Sequence, residues 1–532
     1  MSARNLEPVF IGPGGSADPV LASHVGSKAA ELARLSALHL PVPPAFVLPT
    51  SLCAGVIAGD DDALKAMHKG VVAGIGWLEA ATRRHLGDAR SPLFVSVRSG
   101  AEKSMPGMLD TVLDVGMNAK SVHGLIRMTG NPRMAYDSCR RFIQSYAEVV
   151  GGVAPGSFAG LLTKMIAAEG AANEEELDSE ALERLTDDFL ALATRLGHAP
   201  PFDPIDQITE AAQAVYRSWE SNRAKEYRRL NALSGLAGTA VTVQAMAFGN
   251  SGGDSGAGVA FSRNPATGAK ELYVDFLADA QGEDVVSGRR TPSDAALLHR
   301  RMPEVARQLE QGTRALEAAC RDVQDIEFTV ERGRLWFLQT RTAKRTPRAA
   351  LKIVVDLAEE GVIDRAEALG RVAEVDLAAA RASHFTESAE PAAKAAVASP
   401  GVACGRACFT TERAKETAAR GEPAILIRRD TSTEDVAGFA VADGILTAVG
   451  GRTAHAAVVA RQMGKVCLVG CRALAVDERR GEASLDGRTI GEGDWIALDG
   501  ASGEISLGRR AIVAEETRET AIIRRWRREA AA

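Results

Sequence analysis

The sequence predicts a multidomain protein of mixed α/β class, in which α/β and α+β domains are joined in one chain. Its 532 residues correspond to roughly three to four domains of about 150 residues each. Short apolar runs bounded by turn residues recur in two parts of the chain, as strands do, whereas residues 120–235 repeat apolar positions every three or four residues, as helices do. Aromatic residues make up only 5% of the chain, which favours closely packed helices and α/β layers.

Composition divides the chain into four parts. The first is a long mixed region that contains a helical insertion, and the second is an Ala-, Glu- and Arg-rich linker. A compact β-rich domain and a short helical tail follow. The predicted boundaries are 1–345 with the insertion at 120–235, 346–397, 398–510 and 511–532. Within them the pattern predicts helices at 181–196, 208–233, 349–360 and 365–372, and a linker-like stretch at 384–400. It predicts strands at 92–97, 335–338, 424–427, 444–447, 466–469 and 495–498.

Charge and cysteine content limit the functional class. The net charge of −6 argues against a nucleic-acid-binding protein, and the one strongly basic stretch, 524–529, is typical of a solvated helix end. The seven cysteines include the i, i+4 pairs Cys404/Cys408 and Cys467/Cys471, without zinc-like spacing, so reduced thiols are expected. Neither a signal-peptide core nor a membrane-spanning apolar run is evident. We therefore expect a soluble cytoplasmic protein without nucleic-acid or membrane partners.

A glycine turn followed by a histidine is the most informative motif. After the strand 444–447, Gly450 and Gly451 make a sharp turn, and His455 opens an amphipathic helix. Backbone N–H groups and the helix dipole in that first turn favour an anion. They also lower the imidazole pKa from its usual value of about 6.5, which leaves a neutral nucleophile. Thr453 is a candidate N-cap, and an ordinary loop histidine would fit the same pattern.

A second motif is the predicted hairpin 324–341. Strand alternation places Asp325 and Glu327 on one face of its first strand, and Gln339 and Arg341 on one face of its second. These groups could hold Mg²⁺ and a phosphate tail, although a solvated hairpin face would have the same composition.

Glycine-rich and small-residue loops supply further candidate phosphate contacts. Residues 96–110 run from a strand with Arg98 at its end into a loop of small residues. Lys28 follows Gly26 at the start of an amphipathic helix, and residues 248–258 form a glycine-rich loop between two predicted strands. A dinucleotide-binding interpretation of that loop is disfavoured because no matching βαβ unit with a downstream acid follows it.

Taken together, these segments resemble the pyruvate phosphate dikinase and phosphoenolpyruvate synthase family. The segment GGRTAHAAVVARQMG resembles the phosphohistidine signature, with Arg452 where Met is common and Ala454 where Ser is common. QDIEFTVERGRLWFLQTR resembles the strand pair that closes the ATP-grasp site. The loop at 96–110, the Gly26–Lys28 segment, the glycine-rich hairpin at 238–258 and residues 281–286 match in family order. Glu102 and Lys103 depart from the family's usual pair.

The resemblance implies an ATP-grasp nucleotide-binding domain joined to a smaller, swivelling β/α phosphohistidine domain. It implies that His455 takes phosphoryl groups from Mg²⁺·ATP, with release of AMP, and that Glu327 and Gln339 lie near the metal. Thr453 matches a threonine that some relatives phosphorylate for control. The remaining ATP contacts that it implies are Lys28, Arg98, Ser104, Met105, Gly107, Met108, Asp325 and Arg341.

The acceptor of the phosphoryl group is less defined. The family's C-terminal barrel, which binds pyruvate or phosphoenolpyruvate, needs about 250 residues that do not follow the histidine domain in this sequence. We therefore expect an acceptor-binding subunit supplied in trans, with inorganic phosphate as a possible co-substrate. Two alternatives stay open: the same ATP chemistry with a hydroxyl acceptor of specialised metabolism, and a phosphocarrier or regulatory protein without its own acceptor.

Overall fold

The computed structural model describes residues 6–15, 20–103, 105, 108–231, 233, 235–286, 292–293, 295–430, 435–452, 455–478 and 480–531. The mixed α/β multidomain class is confirmed. The chain forms two compact units, Met1–Gly252 with Trp336–Thr340, and Gly253–Leu335 with Arg341–Ala532. The domain boundaries drawn from composition stay predictions.

The first unit is built on an antiparallel sheet covered by helices. The strand order in this sheet is β1-β2-β7-β5-β6. In chain order the elements are β1 (Val9–Ile11), α1 (Ala22–Ala37), β2 (Ala45–Leu48), α2 (Cys53–Ala58), α3 (Asp61–Thr82), β3 (His85–Leu86), β4 (Pro92–Leu93), β5 (Val95–Ala101), β6 (Thr111–Val115), α4 (Ala119–Thr129), α5 (Pro132–Val149), α6 (Ala159–Glu169), α7 (Ser179–Arg195), α8 (Pro204–Arg217), α9 (Asn222–Leu230) and β7 (Thr239–Ala245).

The prediction of one continuous helix over 208–233 in the first unit is wrong. The apolar pattern over 208–233 predicts a single helix, but α8 ends at Arg217 and α9 begins at Asn222. Between them lies a 3-10 turn, Ser218–Glu220. Ser221 then adopts an extended backbone (ψ 148°), and its side chain accepts a hydrogen bond from the Ala224 N–H as an N-cap. A serine that can cap a new helix therefore competes with continuation of the old one.

Gly26 allows α1 to approach the central strand β5. Its backbone angles, φ 79° and ψ 160°, belong to a region that is essentially restricted to glycine. A Cβ atom at this position would lie 2.0 Å from the Gly100 carbonyl oxygen. The helix can therefore meet the strand only if residue 26 has no side chain.

Gly26→Ala is expected to lower the free energy of unfolding of the first unit by at least about 2 kcal/mol, through backbone strain and overlap with Gly100. The matched control is Gly76→Ala in the middle of α3, where a Cβ meets nothing within 4 Å. The control should be neutral or stabilising by up to about 1 kcal/mol. Thermal unfolding followed by circular dichroism measures both, and equal melting temperatures would contradict the steric assignment.

The second unit contains two main sheets. The first has the order β11-β10-β8-β9, and the second has the order β13-β23-β22-β15-β16-β17-β18-β14. The elements are β8 (Gly256–Phe261), β9 (Tyr273–Ala278), α10 (Gly282–Val286), α11 (Ala295–Arg301), α12 (Pro303–Cys320), β10 (Gln324–Glu331), β11 (Arg334–Thr342), α13 (Pro347–Glu359), α14 (Arg365–Arg371), β12 (Ala382–Phe385), β13 (Ala393–Lys394), β14 (Ala396–Ser399), β15 (Val402–Cys408), α15 (Thr411–Ala419), β16 (Ala424–Arg428), α16 (Val436–Val441), β17 (Gly444–Thr447), α17 (His455–Gln462), β18 (Val466–Val469), β19 (Leu474–Asp477), β20 (Glu482–Leu485), β21 (Arg488–Gly491), β22 (Trp495–Asp499), β23 (Glu504–Leu507), β24 (Ile512–Glu515) and α18 (Arg518–Ala531).

The eight-stranded sheet contains the strands predicted at 424–427, 444–447, 466–469 and 495–498. The first three are neighbours in a parallel group, β16-β17-β18, and the fourth lies in β22. Such parallel strands place their carboxyl ends at one edge, where ligands commonly bind. The turn to α17 begins at that edge, directly after β17.

The linker-like stretch predicted at 384–400 is partly strand. Its residues contribute β13 and β14 to the eight-stranded sheet, and the end of β12 pairs with β24. Small and polar side chains gave this segment a linker-like composition. The neighbours β18, β23 and β24, which supply the backbone partners, are far along the sequence and leave no local pattern.

Among the described residues, no helix has the length and apolar character needed to cross a bilayer.

Candidate active site

Arg98 is held by two glutamines in the first unit. It lies on β5, where its Nη1 donates to Gln244 Oε1 at 3.3 Å and its Nη2 donates to Gln339 Oε1 at 3.2 Å. Gln244 comes from β7, which is hydrogen-bonded to β5, and Gln339 is only 8% exposed. The two neutral acceptors hold the guanidinium in one orientation, and a guanidinium carries five N–H donors in a fixed planar geometry.

Lys28 lies beside the same strand. Its Cβ is 4.0 Å from the Cβ position of Gly100, two residues after Arg98. The preceding residue is tied to the strand as well: Ser27 Oγ donates to the Ala101 carbonyl at 3.0 Å. Lys28 is half-buried here, in contrast to the solvent-facing position that a lysine in a first helical turn usually takes.

The loop that follows β5 is described only in part. Met105 is buried in the hydrophobic core of the first unit, and the Met108 carbonyl accepts a hydrogen bond from Arg223 Nε at 3.2 Å. Ser104 and Gly107 lie outside the described residues. The two methionines thus have packing and backbone roles in this structure, and their contacts with ATP stay predictions.

The hairpin predicted at 324–341 is present as β10 and β11, joined by Arg332 (φ 50°) and Gly333 (φ 75°). The register across β10, β8 and β9 defines two rows of side chains on one face of the sheet. Asp325 is aligned with Phe261 and Tyr273, and Glu327 is aligned with Val259 and Asp275. This surface, which we call the acidic face, therefore carries Asp325, Glu327 and Asp275.

Asp325 is buried and only partly neutralised. Its Oδ2 accepts from Arg341 Nε at 2.7 Å, whereas its Oδ1 has no hydrogen-bond partner among the described residues. Burial raises the pKa of Asp325, and the attraction of Arg341 opposes this shift. Burial alone would lower the pKa of Arg341, but the carboxylates of Asp325 and Glu327 raise it overall, so Arg341 stays charged.

The acidic face offers oxygen donors of the kind that Mg²⁺ takes. Magnesium typically uses one or two carboxylates and completes its octahedron with water and phosphate oxygens. Asp325 Oδ1 is a buried carboxylate oxygen without a partner, and Glu327 follows it on the same face of β10. Within the described part of the chain, no group of three or more His, Cys, Asp or Glu residues could hold a metal by itself. The donor set therefore fits a metal whose coordination is shared with a phosphate ligand.

The predicted histidine helix is confirmed as α17, of which His455 is the first residue. It follows β17 through Gly450, whose φ of 109° only glycine adopts readily, and the buried Gly451. The His455 side chain and the whole of Thr453 lie outside the described residues. What the structure defines is the backbone of the helix and the residues that position it.

Arg452, three residues before His455, binds the acidic face. Its Nε donates to Asp275 Oδ1 at 2.8 Å, its Nη2 donates to the Val274 carbonyl at 2.7 Å, and its guanidinium lies 4.3 Å from the Tyr273 ring centroid. A Cβ at Gly451 would lie 2.4 Å from Pro292 Cδ. The turn before α17 thus sits in close contact with β9.

Arg461, six residues after His455, anchors the other end of the helix. It is fully buried, with Nη1 donating to the carbonyls of Arg452 at 2.6 Å and Ala398 at 3.1 Å. Its guanidinium lies 5.7 Å from the Phe261 ring centroid. Burial lowers the pKa of Arg461, and the nearby Tyr273, Asp275 and Asp325 oppose that shift. The helix that begins at His455 is therefore seated on the face that carries Asp325 and Glu327.

The ion pair between Arg452 and Asp275 should show strong energetic coupling. Asp275 is 1% exposed, so Arg452→Met leaves a buried carboxylate uncompensated. Asp275→Asn alone removes that charge, and the double variant should be less damaged than the sum of the two changes. We expect a coupling free energy on the order of 1–3 kcal/mol, measured by native-state hydrogen exchange of the α17 amides. Additive effects, within about 0.3 kcal/mol, would contradict this contact.

Sequence reasoning missed several of the residues that assemble the site. Asp275 belongs to β9, and its role depends on register with β8 and β10, which sequence spacing does not reveal. Gln244 alternates along β7 with apolar residues and could have been noticed as a buried polar position. Arg452 was noticed only as a departure from the family motif, without a partner.

Comparisons with known protein families identify two domain types in this chain. Residues 63–308 match the family model "Pyruvate phosphate dikinase, AMP/ATP-binding domain", and residues 420–503 match "PEP-utilising enzyme, mobile domain". The fold and the matched domains thus define a protein with an AMP/ATP-binding region and a mobile domain that contains His455.

The similar curated proteins are dikinases. The chain is 43% identical over 496 residues to pyruvate, phosphate dikinase of Clostridium symbiosum, covering 91% of this chain and 56% of that protein. It is 41% identical over 495 residues to the chloroplastic pyruvate, phosphate dikinase 1 of Arabidopsis thaliana, covering 92% and 51%. The chain therefore belongs to the pyruvate phosphate dikinase family through its ATP-binding and mobile domains. It spans about half the length of these relatives.

Proposed function

We propose that this chain is an ATP-dependent phosphotransferase of the dikinase type, in which His455 is the nucleophile. An imidazole nitrogen forms a bond to the β-phosphorus of ATP, and the bond from that phosphorus to the oxygen bridging to the α-phosphate breaks. AMP leaves with the bridging oxygen. The terminal phosphoryl group then passes to inorganic phosphate or water, which leaves a phosphohistidine.

The observation that carries the proposal is the seat of α17 on the acidic face. Arg452 and Arg461 hold the helix there from both sides of His455, and the same face carries Asp325 and Glu327. A helix that begins with a histidine and is seated on a face with carboxylates suited to a nucleotide-bound cation is an arrangement for charging that histidine. Positioning and electrostatic stabilisation supply most of the catalysis in phosphoryl transfer.

The cationic residues have separate tasks in this proposal. Lys28 and Arg98 in the first unit, and Arg341 in the second, stabilise negative charge on the phosphates as the bond to AMP breaks. Gln244 and Gln339 keep the guanidinium of Arg98 oriented before ATP arrives. Met105, Met108, Ser104 and Gly107 are further proposed contacts, and Thr453 is a proposed control site.

Glu327 and Gln339 are the proposed magnesium ligands, and the unpartnered Oδ1 of Asp325 is a further oxygen on the same face as Glu327. Bound Mg²⁺ would neutralise phosphate charge and so make the β-phosphorus more open to attack. Arg341 keeps Asp325 aligned through the 2.7 Å hydrogen bond.

We further propose that the second step uses an acceptor bound by a separate subunit. The donor half-reaction accounts for both matched domains, which are an ATP-binding domain and a mobile domain. The acceptor would then be supplied in trans to the phosphorylated His455. With ATP present, adding pyruvate together with a barrel domain from a dikinase relative should give phosphoenolpyruvate. In the reverse direction the same mixture should consume phosphoenolpyruvate. Equal turnover with pyruvate alone would contradict delivery in trans.

The donor reaction is tested by incubating the protein with Mg²⁺ and ATP labelled on either the β- or the γ-phosphate, with and without inorganic phosphate. The proposal predicts AMP as the nucleotide product and β-label retained on the protein in an acid-labile form. The γ-label should leave as pyrophosphate when phosphate is present. Formation of ADP with γ-label on the protein would contradict attack at the β-phosphorus.

A further inference from the structure

A cationic cavity lies where the linker helix α13 meets the far end of the histidine helix α17. Its volume is about 530 Å³, a size typical of small-ligand sites. Its wall includes Arg348 and Arg381 from the linker segment and Lys465 from the residues directly after α17. Asp443 supplies the one carboxylate among the described lining residues. Three cationic groups facing one anionic group make the cavity electropositive.

The one acidic group on the wall is already engaged. Asp443 Oδ2 accepts from the Ala424 N–H at 3.0 Å, an interaction that fixes the carboxylate at the start of β16. Arg381 uses one of its N–H groups to donate to the Ala514 carbonyl at 2.6 Å, which anchors the side chain and leaves further donors on the guanidinium. Hydrogen-bond donors therefore outnumber hydrogen-bond acceptors among the charged groups of the cavity wall.

A buried hydroxyl without a partner points to a ligand. Ser399, at the end of β14, is 0% exposed and lines the cavity, and its Oγ has no hydrogen-bond partner among the described residues. A buried hydroxyl that makes no hydrogen bond is costly, and an anion in the cavity would accept one from it. The N-terminal turn of α13, which starts at Pro347, borders the same cavity and adds a favourable helix-dipole field.

The cavity also joins two parts of the second unit. A Cβ at Gly464, in the turn after α17, would lie 3.6 Å from Pro347 at the start of α13. Lys465 N–H donates to the Ala460 carbonyl at 2.9 Å, so this lysine is tied to the end of the histidine helix. An anion that contacts Lys465 together with Arg348 and Arg381 would therefore bridge the mobile-domain helix and the linker.

We propose that this cavity is a binding site for a small phosphate-bearing anion, separate from the ATP site. Binding ties the end of α17 to α13 and so couples the ligand to the position of the histidine helix. The shared chemistry is a phosphate group with two or more negative charges, which orthophosphate, pyrophosphate and a nucleoside monophosphate all possess. The site does not depend on the ATP chemistry proposed above.

The test measures binding by calorimetry with the full chain saturated with Mg²⁺ and α,β-methylene-ATP, so that the titrated ligands cannot occupy the nucleotide site. The cavity variants below distinguish this site from orthophosphate bound beside the nucleotide as the acceptor proposed above. Orthophosphate, pyrophosphate and AMP are titrated separately, and citrate serves as a polyanion without phosphate. We expect at least one of the phosphate ligands to bind at one equivalent per chain and citrate to bind more weakly. Affinity should fall as ionic strength rises, because exposed charges are screened.

Arg348→Gln combined with Lys465→Gln should weaken that binding by about tenfold or more, since each charge-assisted hydrogen bond contributes at least a factor of that order. Ser399→Ala should weaken it less while leaving the charge unchanged. The matched control, Lys415→Gln with Arg488→Gln, removes two exposed cations outside the cavity and should bind as the wild type does. Absence of binding by all three phosphate ligands, or equal affinity in the Arg348/Lys465 variant and the control, would overturn the proposal. Because the readout is binding, either result leaves the ATP reaction to be judged separately.

Discussion

His455→Ala should reduce ATP-dependent labelling of the protein by on the order of a thousandfold or more, because the attacking nitrogen is removed. AMP formation should fall with it, since the proposal allows no other group to receive the β-phosphorus. The fold should be unaffected, because Arg452 and Arg461 hold α17 to the acidic face through their own contacts. Filter binding after base quench measures the label, and chromatography of the nucleotides measures AMP.

The control for this variant is His123→Ala, which removes an exposed imidazole from α4 in the first unit. It should retain wild-type labelling and AMP formation. If His455→Ala keeps an acid-labile label equal to that of His123→Ala, His455 is not the phosphoryl carrier. Circular dichroism spectra of the two proteins should coincide, so that a loss of labelling reflects chemistry and not unfolding.

Arg98→Ala should lower kcat/KM for ATP cleavage by about 10²–10³, the usual effect of removing one oriented donor from a site that stabilises developing charge. Arg98 is prepared for this role because Gln244 and Gln339 fix both of its terminal nitrogens. Arg98→Lys should be intermediate, since it keeps the charge and loses the planar fork that contacts both glutamines. Steady-state AMP formation at varied Mg²⁺·ATP separates the effects on kcat and KM.

A surface arginine supplies the comparison. Arg314 on α12 has an 81% exposed side chain and a long contact, 3.8 Å, with Glu310. Arg314→Ala should change kcat/KM by no more than about twofold, because an exposed ion pair contributes little. An Arg98→Ala protein that matches Arg314→Ala in both kcat and KM would remove Arg98 from the proposed phosphate contacts.

Local sequence patterns were sufficient for the elements that carry the motifs. The hairpin β10–β11 was predicted because Arg332-Gly333 lies between two alternating apolar runs, and the start of α17 at His455 followed from two glycines after a strand. The break at Ser221 was missed because the apolar period continues across it. The strands β13 and β14 were missed because their partners lie about 70 to 110 residues away along the chain.

The site was predictable in its chemistry and less so in its assembly. Resemblance to a family supplied Arg98, Asp325, Glu327 and His455 as functional residues. The placement of Asp275 in the same row as Glu327, with Val259 between them, depends on the register of three strands, and the Arg452–Asp275 ion pair spans 177 residues of sequence. No single-sequence pattern reports such a contact.

The central claim is that His455 carries the phosphoryl group, and peptide mapping tests it most directly. The protein is incubated with Mg²⁺ and ATP, quenched at alkaline pH to preserve phosphohistidine, and digested with trypsin. Cleavage after Arg452 and Arg461 releases TAHAAVVAR, residues 453–461, in which His455 is the only histidine. The account predicts that the acid-labile phosphoryl group is found on that peptide, at the imidazole. A label on another peptide, or on Thr453 in an acid-stable form with none on His455, would contradict it.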